Sequence, residues 1–256
     1  MTQTADEQTL PPAAALELEV VTRETLTPGM VRVRLTGPDL ADFRHVAGQD
    51  LMLAIPTGEG GDDDQETINR RYTIRRYDAA ASAVDIDAVS HGEGPGARWF
   101  AAAAPGDRLG AYGPRGKVVV SPTAAWHLFV CDESGLPATA AMLEALPAGA
   151  TAIAVVEVAN PSEQQTIDTT ADVAISWVLR DDEEPGDPDR VVAALGATVL
   201  PDGPGHAYLS MEMGVVAALR SALADRGLPR EAMSPKAYWR RGVANAGHGE
   251  PMRDRG

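Results

Sequence analysis

Leu128-Phe129-Val130-Cys131-Asp132-Glu133-Ser134-Gly135-Leu136-Pro137 marks the point where this chain changes rhythm. Leu128 to Val130 is a short apolar strand, and Gly-Leu-Pro opens a helix expected near 137–146. Thr151 to Val158 and Val173 to Leu179 are β-rich runs, Ala207 to Met211 a further strand, and Val215 to Asp225 a helix. Strands alternating with helices specify an α/β layer with a mostly parallel sheet. Upstream the signals are strands. Val31, Val33 and Leu35 alternate with Arg32 and Arg34, and Val84, Ile86 and Ala88 with Asp85 and Asp87, the period of half-buried strands. Turn clusters punctuate them, Gly113-Pro114-Arg115-Gly116 among them. One inserted helix is expected near 96–104. The expected fold is an antiparallel β-barrel followed by an α/β domain. Residues 1–15 and 243–256 read as flexible tails, 16–122 as the barrel and 123–242 as the α/β domain.

At 256 residues the chain has room for one large domain or two smaller ones, and a hydrophobic content of 44% supplies real cores. A net charge of −15 argues against nucleic acid as the main partner. Much of that charge sits in two stretches, Asp62 to Glu66 and Asp181 to Asp189, read as solvated loops. Cys131 is the sole cysteine, so intramolecular disulfides are excluded and no protein-held metal is expected. The first residues lack a basic region and a long apolar core, and no run approaches the roughly 20 apolar residues of a membrane span. A cytoplasmic protein acting on a small molecule, as a monomer or weak homo-oligomer, is expected.

Four segments carry chemistry. Arg70-Arg71-Tyr72-Thr73-Ile74-Arg75-Arg76-Tyr77 concentrates guanidinium groups, a hydroxyl and aromatic rings in an acidic protein. A ring can lie against a flavin, and a guanidinium can grip phosphate bidentately. On a regular strand Arg70, Tyr72 and Ile74 share one face and Arg71, Thr73 and Arg75 the other, so ring and phosphate are both reached only near a strand end or bend. A solvated basic strand has the same composition. His91-Gly92-Glu93-Gly94-Pro95-Gly96-Ala97-Arg98-Trp99 follows a strand and starts a helix whose free N–H groups suit phosphate. It lacks the G-x-G-x-x-G spacing of a dinucleotide fingerprint, and an ordinary capped glycine turn reads the same way. Asp132, Glu133 and Ser134 lie where a strand ends and a helix begins, a ligand position in α/β proteins and equally an N-cap box. Lys236-Ala237-Tyr238-Trp239-Arg240-Arg241-Gly242 again joins aromatic rings to cations.

In this order and spacing these segments resemble the siderophore-interacting protein family, flavin-dependent ferric-siderophore reductases related to ferredoxin reductases. The resemblance runs from about residue 17 to 242. It implies FAD held by Arg70, Tyr72, Thr73 and Arg75; a pyrophosphate cradle of His91, Gly92, Gly94, Pro95, Gly96 and Ala97 backed by Trp99; Asp132, Glu133 and Ser134 near the adenosine end; and Trp239 in the segment closing over the flavin. Trp177, Arg180 and Glu212 fall where the family contacts a nicotinamide dinucleotide, NADPH or NADH. Lys236, Arg240 and Arg241 are implied to meet an anionic ferric chelate. Electrons would pass from the nucleotide through the flavin to ferric iron.

Four positions depart from the family. Met52 stands where a lysine is common, Cys131 where a glycine ends the first strand of the second domain, and Met211 where a glycine lets the nicotinamide approach, so Met211 is expected to add bulk there. Ala97 also replaces a common serine. Beside the reductase, these departures leave open a related flavoprotein recruited to natural-product biosynthesis, or a module that holds flavin or chelate without turnover.

Overall fold

The computed structural model describes residues 10–57, 66–90, 94–181 and 183–243. The first half forms strands β1 (Ala14–Thr27), β2 (Met30–Thr36), β3 (Asp50–Pro56), β4 (Thr67–Thr73), β5 (Arg76–Asp78), β6 (Ala83–Val89) and β7 (Arg108–Arg115), with helix α1 (Pro95–Ala102) between β6 and β7. They build one antiparallel sheet in the order β4-β3-β7-β1-β2-β6-β5. Its two edge strands, β4 and β5, are consecutive in the chain, so the sheet must curl until its edges meet. The backbone makes that joint: Ile74 N–H donates to Gln49 at 3.0 Å beside β3, and Arg75 N–H donates to Asp85 on β6 at 2.9 Å.

The period-2 pattern explains the curl. Val31, Val33, Leu35, Val84 and Ile86 point inward with Leu51, Leu53, Ile55, Ile74 and Phe100. Arg32 and Arg34 point outward opposite Asp87 and Asp85. Arg32 and Asp87 form a two-pronged ion pair at 2.7 and 2.8 Å. β1 begins at Ala14, two residues inside the stretch read as a tail, because Ala14 and Ala15 pair with Gly113 and Tyr112. Gly113-Pro114-Arg115 therefore extends β7 rather than forming a turn, and Gly116, at φ 96°, makes the bend.

The second half is a parallel sheet of β8 (Trp126–Cys131), β9 (Thr151–Val158), β10 (Asp172–Leu179), β11 (Gly205–Glu212) and β12 (Met233–Trp239), in the order β10-β9-β8-β11-β12. Helix α2 (Leu136–Glu144) covers one face, over Phe129, Cys131, Ala154 and Tyr208. Helices α3 (Pro188–Gly196) and α4 (Met213–Asp225) cover the other, over Val130, Val155, Leu209 and Met211. α3 begins inside the second acidic stretch: Asp187 accepts from Asp189 N–H at 3.0 Å and Pro188 takes the first helical position.

The sheets are joined by polar contacts as well as by packing. Thr27 Oγ1 donates to Glu163 at 2.5 Å, Arg75 grips Glu144 of α2 at 2.5 and 2.7 Å, and Lys236 Nζ of β12 reaches Asp50 of β3 at 2.9 Å.

A histidine pair gives the fold an acid limit. His127 lies 3.4 Å from the Tyr208 hydroxyl, and His206 contacts Ser234 Oγ at 2.9 Å. Burial lowers the pKa of both, and His127 lowers that of His206 further. A folded pKa below the unfolded value of about 6.5 means the unfolded chain takes up protons first, so stability falls as pH drops below about 6.5. Melting temperature measured from pH 7.5 to 5 should decline through that window. In the His127→Gln/His206→Gln variant the decline should flatten; an unchanged slope would contradict the assignment.

Candidate functional site

A crevice lies between the curled sheet and the carboxyl ends of the parallel strands. One part, about 250 Å³, is lined by Arg70, Arg71, Tyr72, Thr73, Ala97, Tyr238 and their neighbours. A second, about 230 Å³, is lined by Asp132, Arg180, Pro185 and Trp239, and shares Val89, Glu133 and Ser134 with the first. A larger cavity of about 720 Å³ opens at the opposite, amino ends of β8 and β11 and brings none of these residues together.

β4 ends at Thr73, and this end lets one strand use both its faces. Tyr72 turns its ring inward onto Phe100, 4.5 Å between centroids. Burial pushes its hydroxyl pKa up to about 12, so it stays a proton donor at neutral pH. A Cβ on Gly96 would overlap that hydroxyl, so only glycine admits Tyr72 against the first turn of α1. Gly94 caps α1 without any side-chain hydrogen bond, and Pro95 follows. Among the described residues nothing accepts from the first-turn N–H groups of Gly96 and Ala97, which suit an anionic acceptor. In contrast, α3 and α4 have carboxylates at their starts: Asp187 on Asp189 N–H at 3.0 Å, and Glu212 on Val215 N–H at 3.1 Å. A ring-lined cleft, a hydroxyl donor, arginines and an open helix start together fit a flavin with its phosphates.

Several of the implied side chains already have partners within the protein. Arg75 lies past the bend with its guanidinium on Glu144 and its Nε 3.6 Å from Asp87, and it does not line the cleft. Arg71 is held by Asp50 at 2.7 and 2.9 Å, and Lys236 meets the same carboxylate, which is 1% exposed. Asp50 is thus a hub that the sequence reading missed; its signal was a charge heading the apolar run Leu51 to Ile55. Trp99 packs edge-on against Phe100, 4.9 Å away, as part of the barrel wall. Trp177 packs against the α2-side core, on the edge strand β10. Glu133 accepts both prongs of Arg180 at 2.8 Å and the Ala159 N–H at 2.7 Å. Glu212 caps α4 and also accepts the Arg241 N–H at 3.2 Å. Trp239 Nε1 donates to Asp132 at 2.7 Å. Arg240 is exposed, and Arg241 Nη2 donates to the Pro185 carbonyl at 2.5 Å. His91 and Gly92 lie outside the described residues.

Met211 corrects an expectation. It is fully buried on the face packed against α4, opposite α2, and adds no bulk to the crevice. Cys131 lies in the α2-side core, its thiol pKa pushed up by burial. Met52 occupies the outer face of β3, where its sulfur accepts from Arg115 Nη1 at 3.0 Å.

A curled antiparallel sheet presents Arg-x-Tyr-Thr to the carboxyl ends of a parallel α/β sheet, and with its FAD-binding first half this arrangement defines a flavoprotein. The chain belongs to the siderophore-interacting protein family: residues 19–118 match its siderophore-interacting FAD-binding domain and residues 124–242 the siderophore-interacting protein model. The ferric vibriobactin reductase ViuB of Vibrio cholerae is 31% identical over 88% of this chain and 89% of its own. The NADPH-dependent ferric-chelate reductase of Escherichia coli is 29% identical over 87% of this chain and 92% of its own. Among solved structures, a siderophore utilization protein from T. fusca superposes with a TM-score of 0.85 at 38% identity, covering 94% of this chain and 98% of that one.

Proposed function

We propose that the protein is an FAD-dependent reductase that takes electrons from a nicotinamide dinucleotide and passes them to a ferric siderophore, from which ferrous iron is then released. The observation that carries this reading is the single crevice joining Arg70 to Thr73 and the open start of α1 to the strand ends at Asp132 to Ser134 and to Tyr238. FAD, when bound, supplies the redox chemistry, accepting an electron pair from the donor and returning electrons singly to iron.

The chain's own residues bind and orient. The Tyr72 hydroxyl and Thr73 offer hydrogen bonds to the flavin, Arg70 offers charge to its phosphates, and the first turn of α1 offers backbone N–H groups. Trp239, fixed by Asp132, walls the adjoining part of the crevice. Arg240 contributes exposed positive charge for an anionic chelate, while Arg241 is tied to the Pro185 carbonyl. Lys236 serves mainly to hold Asp50, because its ammonium is already engaged there. No acid or base is required at the iron, since hard oxygen donors grip Fe²⁺ far less tightly than Fe³⁺ and the metal leaves once reduced.

A second reading, a flavoprotein recruited to an organic substrate, is favoured by Met52, where a thioether stands on the outer face. Anaerobic spectra separate the two. Under the first reading a nicotinamide nucleotide bleaches the flavin and a ferric siderophore restores its colour. Bleaching that no ferric chelate reverses supports the second, and absence of bleaching contradicts the donor proposed here.

A further inference from the structure

The connection from β10 to α3 does not stay at the β10 edge. Arg180 is drawn to Glu133, beyond β8, by the ion pair at 2.8 Å. The Pro185 carbonyl accepts from Arg241, just beyond β12, at 2.5 Å. Gly186, at φ 82°, lies so close that a Cβ would sit 3.0 Å from the Trp239 ring and 3.1 Å from Glu212. The connection is therefore a strap across the carboxyl ends of the sheet, over the switch between β8 and β11 where such sheets bind nucleotides.

The strap and the strand ends beneath it are acidic, and their cations are taken. Arg180 is shared by Glu133 and, at 3.7 Å, Glu157. Arg190 is shared by Glu157 at 2.7 Å, Glu183 and, at 3.8 Å, Asp187. One buried oxygen of Glu157 has no hydrogen-bond partner among the described residues. Arg241, without a carboxylate partner among the described residues, is tied at the β12 end. Freeing Arg180 or Arg190 for a new anion would strand a buried carboxylate.

We propose that this strap selects a donor nucleotide lacking a 2′-phosphate, so that NADH is the donor and NADPH a poor one. The inference rests on the reading that a nicotinamide dinucleotide is the electron source. A ribose 2′-hydroxyl needs only an acceptor, which carboxylates provide, whereas a phosphate meets surplus negative charge. The preference would set this chain apart from the E. coli relative, whose name specifies NADPH.

Two measurements on the FAD-loaded protein separate the inference from the reading beneath it. Calorimetry with 5′-ADP and with adenosine 2′,5′-bisphosphate judges the inference: 5′-ADP should bind at least about tenfold more tightly. Equal or tighter binding of the bisphosphate, or no binding of either, overturns it. Anaerobic bleaching judges the reading, since failure of both NADH and NADPH to bleach the flavin contradicts a dinucleotide donor whatever the fragments do. Glu183→Gln, which releases one prong of Arg190, should narrow the difference between fragments; an unchanged difference overturns the role of the strap.

Discussion

Gly96→Val should give a folded protein that purifies largely without flavin. Any Cβ at this position overlaps the Tyr72 hydroxyl, and the Tyr72 ring has little room to retreat because it rests on Phe100, which is 0% exposed. Relief must come from tilting the ring or lifting the first turn of α1, and either moves a wall of the crevice. Overpacking of this kind costs about 1–3 kcal/mol, which corresponds to FAD binding weakened roughly 5- to 150-fold. Gly96→Ala should show a smaller loss of the same kind. The check is the ratio of flavin to protein absorbance after purification, with a fluorescence titration of apoprotein for the dissociation constant. Stoichiometric flavin in the valine variant would contradict the placement of Tyr72 and α1 around the cofactor.

Asp50→Asn should be among the most destabilising single changes in the protein. Asp50 is 1% exposed and holds Arg71 through two hydrogen bonds and Lys236 through a third. Neutralising it takes the counter-ion from the largely buried Lys236 ammonium and removes the carboxylate that orients Arg71, a situation that costs about 3–5 kcal/mol. Because Lys236 belongs to β12 and Asp50 to β3, the loss falls on the junction between the two sheets. Urea unfolding of wild type and variant would measure it. Lys236→Met placed on top of Asp50→Asn should recover part of the loss by removing one stranded charge. A penalty below about 1 kcal/mol would show that solvent already satisfies the pair and that Asp50 is no hub.

Much of the architecture was legible because two periods dominate it. Val31, Val33 and Leu35 against Arg32 and Arg34 could only be a half-buried strand, and its partner Val84 to Ala88 carried the complementary acids, which pair in register. The β-run Thr151 to Val158 coincides with β9. β12 was not legible: Lys236-Ala237-Tyr238-Trp239 neither alternates nor forms an apolar run, because an edge strand is only partly covered. α3 was hidden by its own cap, since Asp187-Pro188-Asp189 has loop composition whether or not a helix follows. The bend at Ile74–Arg75 has no local signal; it arises from the sheet closing on itself, and it turns Arg75 to Glu144. Met211 was a missed opportunity. Ala207, Leu209 and Met211 share a face by simple parity, and that face is the one packed against α4. Ion pairs such as Glu133–Arg180 and Asp50–Lys236 join residues distant in sequence and were beyond any spacing rule.

The central claim is that the crevice holds a flavin that carries electrons from a nucleotide to chelated ferric iron. Anaerobic turnover with a limiting amount of NADH, an excess of a ferric siderophore and a ferrous-specific chromogenic chelator tests it most directly. One hydride carries two electrons and each ferric ion takes one, so two ferrous ions should appear per nucleotide oxidised, with the flavin spectrum restored when NADH is exhausted. Oxidation of the nucleotide without ferrous iron, or ferrous iron formed equally well by protein stripped of its flavin, would contradict the claim.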